Sequence, residues 1–517
     1  MCSKIALIAG THPMADAVAI QYARKGFSVV RSDDGAYSGE SPDEIFIATR
    51  PLYAENVRED MKNLGIVRRL CENNEGRHPV KCHLLLHSSQ VLRLFHDDGF
   101  AADLRGKADI YPFTLESEWA QRIFTLLPGQ KSDFSFTDRI PQTVESEKTV
   151  HIVLMGLGEM TETLAEHAAL TCHYSNYTRN HSLRTRITVV DEDMGNQMHG
   201  FIHRHKPLFD NCFYRFVDLK LSQGVSVRDF HRPDYDGIRE DWVDVEWEFV
   251  NGGIWSEVLR SKLAAWAADE SQFLSVIFAH ESDDRNIAGA LEIASLRASN
   301  DFPVLVKVAS EEVIEMSYEL KGFKPFGMQD LEYDIDQPLV SMAAMVNYVY
   351  ECCYEDNYLK AAGSKEVFSP VEIDTAAAGK SWQQLPYSRR MANICNAMTI
   401  PVKMRSLGYE MKDWNTFYAI TAKETALLAE MEHNRWNVAT LMLGFRPVTA
   451  SEEKEIEADV TLKKEYRNKH VHYDLRSYKD LRADVTGRNV NTYDICLAAA
   501  IPLISKTYMT EVYDGRK

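Results

Sequence analysis

His151-Ile152-Val153-Leu154-Met155-Gly156-Leu157-Gly158-Glu159-Met160-Thr161 is an apolar strand that runs into a glycine turn and then opens a helix. The helical pattern continues over 163–172. A second strand at 186–190 ends in Asp191-Glu192-Asp193. More strand runs fall at 212–217, 243–249, 273–278 and 304–308, with helical patterns at 255–267 and 286–296. Strands that alternate with helices predict a parallel, doubly wound sheet.

The same alternation occurs upstream. Residues 4–9 are an apolar run that ends at Gly10. Residues 14–24 place Ala15, Val18, Ala19 and Tyr22 on one helical face, Gly26 stops that helix, and 27–30 is the next strand. Strand candidates follow at 44–48, 82–86 and 109–111. Residues 131–148 are polar and read as a linker. Beyond about Asp336 strand-like runs stop, and 342–354, 388–406, 422–443 and 491–504 read as helices. The expected fold is therefore α/β: two Rossmann-like parallel-sheet domains, 1–130 and 149–335, followed by an all-α tandem-repeat domain, 336–517.

The chain has 517 residues, which predicts about three domains. With 45% hydrophobic and 26% charged residues, each can bury an ordinary core. The net charge of −18 argues against nucleic acid or an anionic membrane as a general partner. Nine cysteines (2, 71, 82, 172, 212, 352, 353, 395, 496) form no Cys-x-x-Cys pair, and no histidine cluster completes a metal set. Free, buried thiols in a reducing compartment are expected. The first residues read as a strand entering a turn, not as a signal peptide. No apolar run approaches the roughly 20 residues that span a bilayer. The expectation is a cytoplasmic protein that is not membrane-embedded.

The turn carries the chemistry. Gly156-x-Gly158-x-x-Thr161 after a strand and before a helix is the context of a dinucleotide fingerprint. The glycines let backbone approach a pyrophosphate, and the helix N-terminus offers free N–H groups to it. Thr161 stands where a third glycine or alanine is usual, so looser helix–strand packing is expected. Asp191 is the candidate acid for a ribose hydroxyl. It lies 35 residues after Gly156, against a usual spacing of about 20, with 173–184 as an inserted loop. Read from these residues alone, a sheet of this type that holds no nucleotide stays open. The upstream turn, Gly10-Thr-His-Pro-Met-Ala15, lacks the second glycine, and Arg31 follows its second strand instead of an acid. A partner domain that packs against the second one is the expectation there.

Residues 149–330 resemble the N-domain of bacterial potassium-uptake regulators, the TrkA-N or RCK family. The resemblance rests on Gly156-Leu-Gly158, on Asp191, and on Asp283-Asp284-Arg-Asn286-Ile-Ala after a strand. It implies binding of NAD(H) or an adenine nucleotide. Gly156, Gly158, Thr161, Asp191 and Asp284 are the candidate contacts.

The last third is internally duplicated. Asn393-Ile-Cys-Asn-Ala-Met-Thr-Ile-Pro401 returns 101 residues later as Asp494-Ile-Cys-Leu-Ala-Ala-Ala-Ile-Pro502. Met342-Ala-Ala-Met345 with Tyr350 matches Leu428-Ala-Glu-Met431 with Trp436, and Trp382-x-x-Leu385 matches Tyr478-x-x-Leu481. Each copy reads as helix, loop, aromatic-x-x-Leu, then a helix ended by Ile-Pro.

The second copy resembles the ryanodine-receptor repeat (the RyR domain), through Leu428-Ala-Glu430, His433 and Trp436, then Gly444-Phe445 and His472-Tyr-Asp-Leu475-Arg-Ser-Tyr478. The first copy has Asn347 in place of His433 and Ala344 in place of Glu430. Glu430, His433 and Asn434 share a helix face, with Trp436 on its edge. Together they suit a nucleobase, with Arg446 or Arg435 for phosphate and Tyr350, Trp382 and Tyr478 as further aromatic contacts. The other reading makes Trp436 a core anchor and Glu430 and His433 caps of loop backbone. The resemblance implies paired repeats around a nucleotide-like ligand, in a pocket expected between the two copies.

The combined expectation is a cytosolic, homo-oligomeric, nucleotide-sensing regulator of a potassium transporter or another effector. The alternative is an NAD-dependent oxidoreductase. No Ser/Tyr-x-x-x-Lys pair supports it, and His280-Glu281, after the 273–278 strand, is its best catalytic candidate.

Overall fold

The computed structural model describes residues 4–39, 41–50, 56–72, 74, 78–95, 99–128, 143–220, 224–231, 242–354, 372–410, 413–414, 416, 419–481 and 491–514. The linker expected at 131–148 lies outside them up to residue 142.

Strands β1 (Ile5–Ala9), β2 (Ser28–Ser32), β3 (Glu44–Ile47), β4 (Val80–Leu86) and β5 (Ala108–Thr114) form an all-parallel sheet in the order β2-β1-β3-β4-β5. Sheet growth reverses direction at β1, so β1 and β3 flank a switch point. Gly10 ends β1 with φ +105°, and a Cβ there would lie 2.3 Å from the Ala48 carbonyl oxygen. Only glycine fits that close approach.

The second sheet is built from β6 (Thr149–Met155), β7 (Thr185–Asp191), β8 (Phe213–Asp218), β9 (Ser226–His231), β10 (Val245–Asn251), β11 (Gln272–Phe278), β12 (Val304–Lys307) and β13 (Lys324–Phe326). Its order is β13-β12-β11-β6-β7-β10-β8-β9, parallel throughout except for β9, which runs antiparallel to β8. The central strands are buried on both faces, which explains their unbroken apolar runs. The switch point lies between β6 and β11. The helix read over 286–296 is two helices, Asp283–Glu292 and Ala294–Ser299, broken at Ile293.

The two sheet units share a helical layer. The helix Leu115–Phe124 packs on Glu159–Thr171. Residues 328–336 then leave the second sheet and lie across the first. Trp119 Nε1–H donates to the Met328 carbonyl, and Lys81 Nζ donates to that of Ile335. Tyr333 stacks on Phe113 at 4.2 Å, and its hydroxyl bonds His83 Nδ1 at 2.8 Å. Both residues are buried.

In the helical region Pro338–Tyr354 packs on Tyr387–Ser406, and Ala422–Met442 packs on Asn491–Ala499. Each first helix also touches the last helix of the other copy, so the copies interlock. Proline ends the helix in only one copy. Pro401 lies inside Tyr387–Ser406, buried. Pro502 opens Ile501–Thr507 after a break at Ala500. A helix at Thr375–Gln384 was not anticipated. Nor do strands stop at 336: β14 (Arg446–Pro447) pairs in parallel with β15 (Val471–His472). Two-residue strands leave no periodic signal.

One large hydrophobic cluster runs through both sheet units and the repeat helices. Among the described residues no single helix is long and apolar enough to cross a membrane. The bent pair Asn491–Ala499 and Ile501–Tyr513, at 41°, passes on length and composition together, and much of it is buried in the repeat core.

Candidate functional sites

The glycine turn sits at the carboxyl ends of β6 and β11, where doubly wound sheets bind ligands. Gly156 has φ +98°, and a Cβ there would lie 2.6 Å from His280 Nδ1. Gly158 is extended. Its missing Cβ would meet only the Glu281 side chain, at 3.4 Å. Asp191 reaches the turn: its Oδ2 accepts the Leu157 N–H at 3.0 Å, and Oδ1 accepts that of Asp193 at 2.8 Å. The acid expected at a ribose therefore also braces the turn.

Thr161 does not loosen the helix. It is fully buried, and its hydroxyl donates to the Ala279 carbonyl at 3.3 Å, tying the helix start to the end of β11. Asp284 is exposed. Its neighbour Arg285 pairs with Glu192 beyond β7, and Asp283 accepts the Ala309 N–H. Asn286, fully buried, bonds both the N–H and the carbonyl of His280 and fixes the far wall. The His280 imidazole is lowered by burial. The helix Glu159–Thr171 starts at Gly158 with no side-chain cap and has Glu159 and Glu162 in its first turn. Glu159 is turned towards the first sheet unit, where it accepts the Ser89 N–H at 2.8 Å.

In the first sheet unit Arg31 is committed to Asp16, at 2.7 Å.

In the second repeat Glu430, His433, Trp436 and Tyr478 gather around one spot. His433 is buried, with Nε2 bonded to the Arg476 carbonyl at 2.9 Å and Nδ1 3.3 Å from Asp494 Oδ2. Its ring stacks on Trp436 at 5.5 Å and lies 5.8 Å from Tyr478. His472 meets the Trp436 ring edge-on at 4.9 Å. Burial raises the Glu430 carboxyl, against the pull of Lys479 and His433. Asn434 is buried.

The other candidates lie elsewhere. Arg446 makes a two-pronged pair with Glu452, at 2.8 and 2.7 Å. Arg435 is buried on Glu432, which also accepts from Lys403 Nζ at 2.6 Å. Tyr350 faces Tyr493, at 5.5 Å. Trp382 is buried under the Arg390 guanidinium.

Trp382 lines a cavity of about 340 Å³ that the sequence reading missed. Both repeat copies wall it, as expected of a pocket beside the repeated segment, but both sheet units wall it too. It opens where the first copy's repeated helix (Ile394, Cys395, Met398) and the second copy's first helix (Ala439, Met442) meet both sheet units. Those units contribute Phe113 and Tyr333, and also Arg93, Glu166, His167, Arg204 and His205. No local motif announces it, because its walls come from seven separated segments. Among the described residues no group of three or more His, Cys, Asp or Glu side chains could hold a metal ion.

No protein-family model matches this sequence, and no curated protein matches it.

Proposed function

We propose that this chain is a ligand-responsive regulatory protein whose central sheet binds NAD(H) or an adenine nucleotide at the Gly156 turn. The supporting observation is the turn itself. It is held open by a positive-φ glycine at the switch point, braced by Asp191, and followed by a helix start with no side-chain cap. The RCK-like reading of residues 149–330 agrees with it. A nucleotide-like ligand beside Glu430, His433, Trp436 and Tyr478 is the RyR-like part of the proposal. His433 stacks on Trp436 and His472 meets its ring edge-on, so a base would join an existing aromatic cluster. The output would be a potassium transporter, another effector or a second copy of the chain.

Gly158→Ala is the discriminating variant. Its backbone is extended and its new methyl meets only a flexible Glu281 side chain, so the fold tolerates it while the path to a pyrophosphate narrows. Thermal-shift titration with NAD(H), ATP, AMP and cyclic dinucleotides should give a response that Gly158→Ala removes. A second response should be removed by Trp436→Ala instead. No shift with any of these nucleotides overturns the proposal. Turnover of NADH with candidate metabolites, lost in His280→Ala, would replace it with the oxidoreductase reading. That reading is favoured by one observation only, the His280 ring against Gly156.

A further inference from the structure

The three-way cavity has two unlike parts. The repeat helices give it an apolar wall, with Trp382, Ile394 and Met442 among its residues. Opposite lies a polar cluster. Arg93 and His205 both bond Glu166, and Arg204 pairs with Glu162 one turn earlier on the same helix. At about 340 Å³ it falls within the usual range of small-molecule pockets, about 300–1,000 Å³.

The repeat symmetry explains why space remains there. Cys353 of the first copy lies against Cys496 of the second. The matching positions in the interlocked arrangement are Ala439 and Cys395, and both line the cavity. A methyl stands where the other half of the pair has a thiol.

The walls also have a chemical sign. The buried polar atoms in them that lack a hydrogen-bond partner are all nitrogens: Trp382 Nε1, Arg204 Nε, His167 Nδ1 and His205 Nδ1; Arg204 Nη2 is held in the Glu162 pair. Trp382 and His205 are themselves more than nine-tenths buried. No oxygen in these walls is left in that condition. Trp382 Nε1 and Arg204 Nε can only donate, and an imidazole Nδ1 donates when its ring is protonated, so the walls suit a ligand rich in acceptors.

We propose that this cavity is a binding site for a small organic acid: a flat, mainly apolar body against the repeat helices, with its anionic group beside Arg204 and His205. The site is separate from the glycine crevice and does not depend on a nucleotide there. Because its walls come from both sheet units and both repeats, occupancy would tie all of them together.

Isothermal titration of the full-length protein with indole-3-acetate and phenylpyruvate tests this, with uncharged indole as the control. The acids should bind at least about tenfold more tightly than indole, the scale of one charge-assisted contact. Ala439→Leu fills the void and should abolish binding. Arg204→Gln removes the charge while keeping a polar, shorter side chain and should weaken the acids about tenfold while leaving indole unchanged; it serves as the test if Ala439→Leu fails to fold. Gly158→Ala should leave acid binding intact. The inference is overturned if neither acid binds at millimolar concentration, if indole binds as well as the acids, or if binding survives in Ala439→Leu. It also fails if Gly158→Ala abolishes binding, which would place the acid in the glycine crevice.

Discussion

His433 Nδ1 lies 3.3 Å from Asp494 Oδ2, and the corresponding residues of the first copy, Asn347 and Asn393, hydrogen-bond at 3.2 Å. Each copy thus joins its first helix to its last through one partly buried polar pair, neutral in one copy and ionisable in the other. His433→Leu would strand the Asp494 carboxylate and the Arg476 carbonyl, and should cost about 2–3 kcal/mol. His433→Asn reproduces the chemistry of the first copy and should cost less than half as much. Urea denaturation of both variants decides it. Equal losses would show that the imidazole's shape, and not its hydrogen bonding, is what matters.

The Lys403–Glu432–Arg435 cluster is a sharper case. Burial alone would push the Glu432 carboxyl up, but the Arg435 guanidinium and the Lys403 ammonium outweigh it and hold it at about 2. Glu432→Gln leaves two buried cations without their anion and should destabilise by about 3–5 kcal/mol. The double variant Glu432→Gln/Lys403→Met should recover part of that loss. Chemical denaturation curves of the single and double variants provide the check.

Gly156 and Gly158 should respond differently to the same change. Gly156→Ala meets both a positive φ and the His280 ring, at 2.6 Å, so a loss of about 1–3 kcal/mol is expected. Gly158→Ala should stay within about 0.5 kcal/mol of the parent. Melting temperatures without ligand test the contrast. A large loss in Gly158→Ala would disqualify it as a clean probe of nucleotide binding.

Acid should destabilise the central sheet early. His151 is fully buried between Gln272 and Thr188, and burial lowers its pKa from 6.5 to about 3. The folded state therefore binds fewer protons than the unfolded chain below pH 6.5. This contribution is complete above 6.5 and is lost as pH falls towards 3, at about 1.4 kcal/mol per pH unit. His472, lowered by burial to about 4, acts in the same direction. His151→Gln should flatten the slope of melting temperature between pH 6.5 and 4.5 without removing it. An unchanged slope would rule out His151 as a source.

The α/β class was legible because the strands are long, apolar and followed by glycine turns. The helix Met14–Arg24 buries Ala15, Val18 and Tyr22 of its expected apolar face, together with Met14, and leaves Ala19 partly buried. Strands β9 and β13 escaped notice because one is an antiparallel edge and the other has three residues. The glycine turn was legible because its chemistry is contiguous in the chain. Arg446 looked suited to phosphate only because its partner Glu452 could not be known before the fold placed it. The cavity was invisible for the same reason on a larger scale. Its polar wall joins residues 93, 166 and 205, which no spacing rule relates.

Tyr333 shows that this chain is not a string of separable modules. A fragment limited to the first sheet unit would lose the ring that covers Phe113 and the hydroxyl that satisfies His83, both supplied from more than 200 residues downstream. At the other end, Tyr508 donates to the Pro128 carbonyl at 3.1 Å. During synthesis the first unit must therefore wait, partly unsealed, until those later residues have left the ribosome. Shortened versions cut at the apparent boundaries should be poorer folders than the whole.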